Sequence, residues 1–576
     1  MGDNVGDNAA NEVDQTQSAG GLTRYWPVAV ALVVIAGIVA FGLIRSDDSG
    51  DTADGDTSGD TQPSDETEAA TDDIAAWAAL DPMSAPDCDT ETERIMVPSV
   101  YAPNCVALWP DGADNGGATS PGVTADEIVV VVYEAQASES VAGATDALGL
   151  DEITPEETAA NRDKMLGAYE EMFETYGRSI RWELIEGTGG AGDEVAARAD
   201  AIKAAEEFGA FAVIGGPSGT TAFADELAGR SVICFCTSNQ PQEMYDGWSP
   251  YVWSGTMAST QGYELIAEYL DERLDDRPAE FAGDPALASQ TRSFGLIWYE
   301  TADGSYQSGT DHFKTLIADR DLNVVDDISY IFGDGGNLEE DAATIVARLK
   351  DAGVTSVLFG GDPYMPIYLT QQATAQDYHP EWVMTGFTAL DVPQFARQYD
   401  PEQWAHAFGL SLLLPPIDPE WTQQEGNLVT WHLGEELSDY PQIYDWGRFF
   451  TAIHLAGPEL TPETFREGLF SFKPVSGFQT EFAVSYGEGL WPWPDHQGAD
   501  DITEIWWDPD ERDMRAENEE VFGMYRYMNE AERYLTGGMG DLGGTLFDTE
   551  GTIVMFDERP EGDRPPTYPP RSGREG

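Results

Sequence analysis

The chain has 576 residues, 41% of them hydrophobic, with 16 Trp, 23 Tyr and 24 Phe, which excludes a wholly disordered polymer. Single cores stop growing near ~250–300 residues, so at least two folded units are expected. Acids outnumber bases 105 to 29, a net charge of −76, and residues 1–73 hold only 15 of those acids and 2 of the bases. The body itself is therefore strongly negative, which excludes binding to nucleic acid and to anionic lipid surfaces. Adaptation to salt and a preference for cationic partners both fit this charge.

Residues 1–24 are polar and acidic, and Tyr25–Ile44 (YWPVAVALVVIAGIVAFGLI) is a twenty-residue run without a charge, flanked by Arg24 and Arg45. At ~1.5 Å per residue this run covers the ~30 Å hydrocarbon core. A cleaved signal peptide is the competing reading; the long acidic stretch before the run and the lack of a small-residue cleavage motif favour an uncleaved anchor. One Arg on each side leaves orientation undecided. Residues 45–75 follow as an acidic linker, in which Ser46–Asp73 carries eleven acids and no base and reads as a solvated spacer.

Residues 76–125 hold Cys88 and Cys105, a spacing that predicts a disulfide in an exported protein and so places the large body outside the cytoplasm, with residues 1–24 inside. Cys234 and Cys236 (SVICFCT) stand two apart on a predicted strand, roughly 7 Å from each other, and read as buried thiols.

From Asp126 onward, β-branched runs alternate with amphipathic helices. Glu127–Glu134 (EIVVVVYE) reads as a strand buried on both faces. The helix Thr154–Tyr176 places Met165, Tyr169, Met172 and Tyr176 on one stripe, and the helix Asp193–Phe208 turns Val195, Ala199 and Ile202 inward. Strands are predicted at 179–186, 210–216, 231–237 and 251–255, with helices at 218–229 and 259–274. The rhythm restarts with strands at 292–299, 324–331, 355–360 and 382–385, separated by the helices 305–320, 338–351 and 366–376. The helices 444–456 and 461–470 are expected to return to the first unit. The pattern predicts an α/β protein of two doubly wound parallel-sheet lobes joined by a multi-strand hinge. Ligands of such sheets bind beyond the carboxyl ends of the strands. The expected division is a first lobe at 126–256, a second at 257–410, returning segments with the hinge and a Trp-rich extension at 411–535, and an irregular tail at 536–576.

At the strand-end loops the chain resembles the type-1 periplasmic binding proteins, the leucine-binding-protein-like substrate-binding family of ABC transporters. The resemblance spans roughly Gly122–Phe470 and is carried by GVTADEIVV, VIGGPSGTTAFA, VICFCTSNQPQEM, YVWSGTMASTQGYELIAEYL and LFGGDPYMPIYLTQQA, in that order. It implies hinged closure on a small solute and delivery to an ABC permease. It further implies that Ser218, Gly219, Thr220, Thr221, Thr237, Ser238 and Asn239 face the ligand, with Tyr299 or Tyr306 and Tyr364 packed on it. The family's carboxylate anchor for an ammonium falls in MTGFTALD, where Phe387 and Thr388 stand instead; Asp362 or Asp391 are the substitutes. An amide, a short peptide, an organic acid or an aromatic compound is thus as well matched as an amino acid.

Enzymatic signatures are lacking. His432 and Glu435 share a helix face without a second metal-spaced histidine, and neither a GxxxxGK[ST] loop nor a G-x-S-x-G elbow is present. The stretch WPWPDHQGADDITEIWWDPD gathers Trp491, Trp493, Trp506 and Trp507 with Asp495, His496, Asp500 and Asp501. It reads as an extension strand packed over the hinge. No catalytic residue, metal or cofactor is expected. The rival readings are a stand-alone ligand-sensing surface receptor and a cell-surface hydrolase built on this Trp/Asp/His segment.

Overall fold

The computed structural model describes residues 65–136, 153–190, 192–217, 219–300, 307–331, 337–515 and 521–569. The apolar run 25–44, the polar start 1–24, Ser218 and Tyr306 lie outside the described residues. Among the described residues no helix is long and apolar enough to cross a membrane.

Helix α1 (Asp65–Ala78) precedes a short hairpin, β1 (Cys88–Asp89) and β2 (Arg94–Ile95). Cys88 and Cys105 are bonded there, with Cα atoms 5.5 Å apart. The first sheet contains β3 (Glu127–Glu134), β4 (Ser179–Glu186), β5 (Ala212–Ile214) and β6 (Ile233–Phe235) in the order β4-β3-β5-β6, all parallel. The six inner residues of β3 are all buried, as its unbroken apolar run requires. Helix α2 (Pro155–Met172) covers one face of this sheet, and α3 (Glu194–Ile202) and α4 (Ala222–Gly229) cover the other. Thr154 accepts a hydrogen bond from Glu157 N at the start of α2, and Met165, Tyr169, Met172 and Tyr176 are buried as expected.

Two expectations need correction here. Val195 points outward at 78% exposure, Ala199 is exposed too and Ile202 is only half-buried; Ala197 and Ala201 face the sheet instead, with Asp200 buried beside them. Asp200 accepts from Thr188 N and Oγ1 at 2.9 Å each, and that anchorage sets the rotation of α3. Cys234 and Cys236 are not thiols but a disulfide. The chain leaves the extended conformation after Phe235, so the two Cα atoms stand 5.3 Å apart rather than the strand spacing.

Helix α5 (Gln242–Trp248) and residues 251–255 lead to α6 (Ser259–Tyr269). Residues 251–255 are not a full strand: they make isolated bridges, Val252 to Cys234 and Ser254 to Gln497. The second sheet comprises β7 (Phe294–Glu300), β8 (Val324–Ile331), β9 (Ser356–Gly360), β10 (Glu381–Met384) and β11 (Ala407–Ser411), joined in parallel. Helices α7 (Gln307–Asp319), α8 (Leu338–Ala352) and α9 (Met365–Ala375) connect its first strands. Its core lies on both faces, α8 and α9 on one and α6 and α7 on the other. Arg292 grips Glu381 with two bonds of 2.8 and 2.9 Å, fully buried, tying the entry of β7 to that of β10.

The later chain passes through α10 (Pro419–Glu425) and α11 (Leu428–Leu433) to α12 (Ile443–Ala456) and α13 (Pro462–Phe470). Trp446, Phe449, Phe450 and Phe465 return to the first sheet as expected. The Trp-rich stretch then crosses again and ends as β12 (Thr503–Arg512) and β13 (Phe522–Tyr527). These extend the second sheet antiparallel, in the order β13-β12-β11-β10-β9-β7-β8.

Candidate functional site

The loops beyond β6 and β10 come from different sheets, and both end on the first turn of α6. On the first side, Thr237, Ser238 and Asn239 follow the Cys234–Cys236 bridge. Asn239 adopts φ +56°, a left-handed conformation that asparagine tolerates, and this bends the chain so that Gln240 O accepts from Ser259 N at 3.1 Å. Thr260 Oγ1 accepts from Gln242 N at 3.0 Å, so the loop is sewn to α6 at two points.

On the second side, Phe387 lays its ring against Gly262, where a Cβ would overlap it. Phe387 is therefore a packing residue of the α6 seam with a half-buried ring. Thr388 beside it is 6% exposed.

Three oxygens at this junction, Asn239 Oδ1, Ser259 Oγ and Thr388 Oγ1, are buried without a hydrogen-bond partner. Gln261 Oε1 accepts from Ala258 N at 2.7 Å, which turns its amide nitrogen toward Asp495. Orphaned groups cost about 1–3 kcal/mol each, so a polar group that reached this seam would find acceptors open to it.

The remaining predicted residues fall into two further groups. Gly219, Thr220 and Thr221 sit at the start of α4, where Thr220 Oγ1 accepts from Ala222 N at 3.1 Å and the Thr221 side chain makes no capping bond. Tyr299, Asp362 and Tyr364 gather around Tyr330 inside the second lobe. Tyr330 donates its hydroxyl hydrogen to Asp362, which also accepts from Tyr364 N at 2.8 Å and Met365 N at 3.0 Å. Asp362 is fully buried, so its carboxylate caps α9 rather than facing a gap; burial raises its pKa and these donors draw it back. Tyr364 packs edge-on against Phe395, centroids 5.7 Å apart. Asp391, the other acid weighed as an ammonium anchor, is 3% exposed and accepts from Ser411 Oγ at 2.6 Å. Neither substitute carboxylate is free at the seam.

Sequence reasoning named Thr388 only as the residue standing where an acid was expected, and it passed over Ser259 and Gln261. A signal for the last was present: a glutamine at the third helical position, reaching back to the preceding N–H, is half of a capping box.

The Trp/Asp/His stretch meets this junction from behind, as Gln242 Nε2 donates to Pro494 O at 3.0 Å. His496 Nε2 lies 3.0 Å from Ser249 Oγ. Burial lowers its pKa to about 4, opposed by a backbone hydrogen bond to Pro494, and the ring packs on Trp253 with centroids 5.0 Å apart.

No family model and no curated protein matches this chain. Solved structures similar to it include a solute-binding protein of an R. palustris ABC transporter in complex with 4-hydroxybenzoate. That protein is 12% identical, with 69% of this chain and 97% of that one covered and a TM-score of 0.43. The closed conformation of a leucine-, isoleucine-, valine-, threonine- and alanine-binding protein from Brucella ovis is 14% identical over 76% of this chain and 100% of that one, at 0.46. A fatty acid ABC transporter substrate-binding protein from Thermomonospora curvata is 13% identical over 74% and 96%, also at 0.46. With TM-scores this low, the functional reading rests on the site's own geometry.

Proposed function

We propose that this chain is a two-lobed binding protein that holds a small solute where the strand-end loops of its two sheets meet. The observation that carries the reading is the convergence of the post-β6 and post-β10 loops on the first turn of α6, with Asn239 Oδ1, Ser259 Oγ and Thr388 Oγ1 left unpartnered. A solute supplying those partners would stabilise the arrangement in which the three lie at one seam over any that separates them. Amino acids, amides, short peptides and organic acids are the solute classes that fit.

In the same reading the run 25–44 anchors the chain, the body lies outside the cytoplasm, and the captured solute passes to an ABC permease. The tether raises the local concentration at that partner. A stand-alone surface receptor with the same lobes differs in having no such partner; pull-down of the full chain from its native membrane, with permease subunits recovered or not, separates the two.

The test is a thermal-shift screen of the full-length chain in detergent against amino acids, amides, short peptides and organic acids. The panel includes 4-hydroxybenzoate, leucine and a fatty acid. A ligand at 100 times its Kd adds about 2.7 kcal/mol of stability. Replacing Ser259→Ala together with Thr388→Val is expected to weaken the hit by roughly 10-fold or more while the ligand-free protein still folds. A panel without any hit overturns the binding reading. A hit whose affinity the double variant leaves unchanged overturns the site.

A further inference from the structure

Two chain segments run side by side between the lobes. Ser254 N donates to His496 O at 3.2 Å and Gly498 N donates to Ser254 O at 3.0 Å, so 254–255 and 496–498 form a two-stranded crossing. Asp495 and Asp500 flank it. Each is 1% exposed, and among the described residues neither is joined to a basic side chain.

Their hydrogen bonds are unequal. Asp500 Oδ1 accepts from Trp491 Nε1 at 2.9 Å and its Oδ2 from Ser485 Oγ at 2.7 Å. Asp495 Oδ1 accepts from Gln497 N at 2.9 Å, while its Oδ2 makes no well-formed hydrogen bond although the Gln261 side chain and the Asp500 carboxyl both lie within reach of Asp495. Two carboxylates cannot bond each other; a carboxylic acid and a carboxylate can. One proton on Asp495 Oδ2 turns that oxygen into a donor to Asp500 and removes a like-charge pair from a buried site.

The groups facing the pair come from both lobes. Tyr245 of α5 and Gln261 of α6 approach Asp495, and Tyr486 stands near both acids and beside Arg448 of α12. Arg448 is engaged by Asp445 at 3.1 Å and by Gly255 O at 3.3 Å. His496, with Asp246 and Arg466 near it, is the adjoining residue, and Asp501 is already held by Arg533 at 2.9 Å. Among the described residues no basic side chain is paired with Asp495.

We propose that Asp495 and Asp500 share one proton in the hinge, and that losing it to solvent loosens the crossing and opens the lobes. Closure, and hence solute retention, then weakens as pH rises. The proton leaves Asp495 for water, and the two anions left behind are relieved only by separating or by admitting water between the strands. Protonated, the pair bonds across the crossing and keeps Gln261 seated on the first turn of α6. The lobe opening and its consequence for solute retention rest on the two-lobe binding reading; the shared proton does not.

The experiment places a fluorescent donor and acceptor, through non-canonical amino acids, at the exposed Val195 of the first lobe and Val325 of the second. The full-length chain is followed without ligand between about pH 5 and pH 9. Energy transfer is expected to fall as pH rises in the native chain. In Asp495→Asn, whose amide mimics the acid form, it should stay flat at the acid value. A flat native profile, or an Asp495→Asn profile that titrates like the native one, overturns the proposal. So does recovery of the closed signal by calcium at alkaline pH, since a metal rather than a proton would then fill the site. A failed solute panel leaves this measurement untouched.

Discussion

Asp391 ends the post-β10 loop, and burial pushes its pKa up to about 6 although the Ser411 hydroxyl donates to it. In the unfolded chain the group titrates near ~3.9. The folded state therefore prefers the protonated acid. The stability it lends is full below about pH 4 and is lost as pH rises through about 6, a change of about 3 kcal/mol for two pKa units. Asp391→Asn removes the titration while keeping an acceptor for Ser411. Urea unfolding is expected to show the variant more stable than the native chain by up to about 3 kcal/mol near pH 8 and equal to it near pH 4. A variant less stable at both pH values would mean that the ionised carboxylate is required where it stands. Because Asp391 supports the loop that carries Phe387 and Thr388, this residue sets how firmly that side of the site is held.

At the scale of elements, α6 is where the two halves are joined, and Gly262 is its most constrained position, since any Cβ would overlap the Phe387 ring. Gly262→Ala gains helix propensity of roughly 1 kcal/mol yet must displace the ring, and overpacking of this kind costs typically ~1–3 kcal/mol. The expected outcome is a lower melting temperature, restored in part by Phe387→Leu, and differential scanning calorimetry of the two single variants and the pair reads the coupling. Additive effects would separate Gly262 from Phe387. The parts of the fold that were legible are those where one period dominates. β3 is six apolar residues without a break, and the stripe of Met165, Tyr169 and Met172 marks α2. The helix α3 was misread because alanines can face inward as readily as valines, and a buried Asp200 is invisible to a hydrophobic count. The Trp-rich stretch was read as an extension strand and β12 forms in it, but its place in the second sheet and the whole of β13 were hidden for a different reason. β12 joins β11 and β13 joins β12, both antiparallel, and Trp506 and Trp507 are both buried side by side, so no alternation announces the pairing. In the site, loop residues beyond β6 could be named from the resemblance. The engagement of Asp362 as a helix cap could not, because that depends on Tyr330 arriving from another strand.

Across the whole molecule, 29 bases face 105 acids, and several of the bases are committed to more than one acid at once. Arg526 pairs with Asp508 and Glu511, Arg559 with Glu425 and Glu481, and Arg230 with Glu206 and Glu226. The remaining carboxylates repel one another across the surface, and that repulsion opposes every compact arrangement, including apposition of the two lobes. Its range is set by salt: the Debye length is about 10 Å at 0.1 M and about 3 Å at 1 M, so added electrolyte removes the longer-range part first. Buried pairs such as Arg292 with Glu381 are much less screened and should keep holding the second lobe throughout. The melting temperature is therefore expected to climb steeply from about 0.05 M to about 1 M NaCl and then to flatten as screening is exhausted. The same energy-transfer pair at Val195 and Val325 should report closer lobes over that interval. Sodium and potassium chloride should act alike if screening is the cause, and a melting temperature that is flat or falls with salt would show that the surface charge is balanced by interactions other than long-range repulsion.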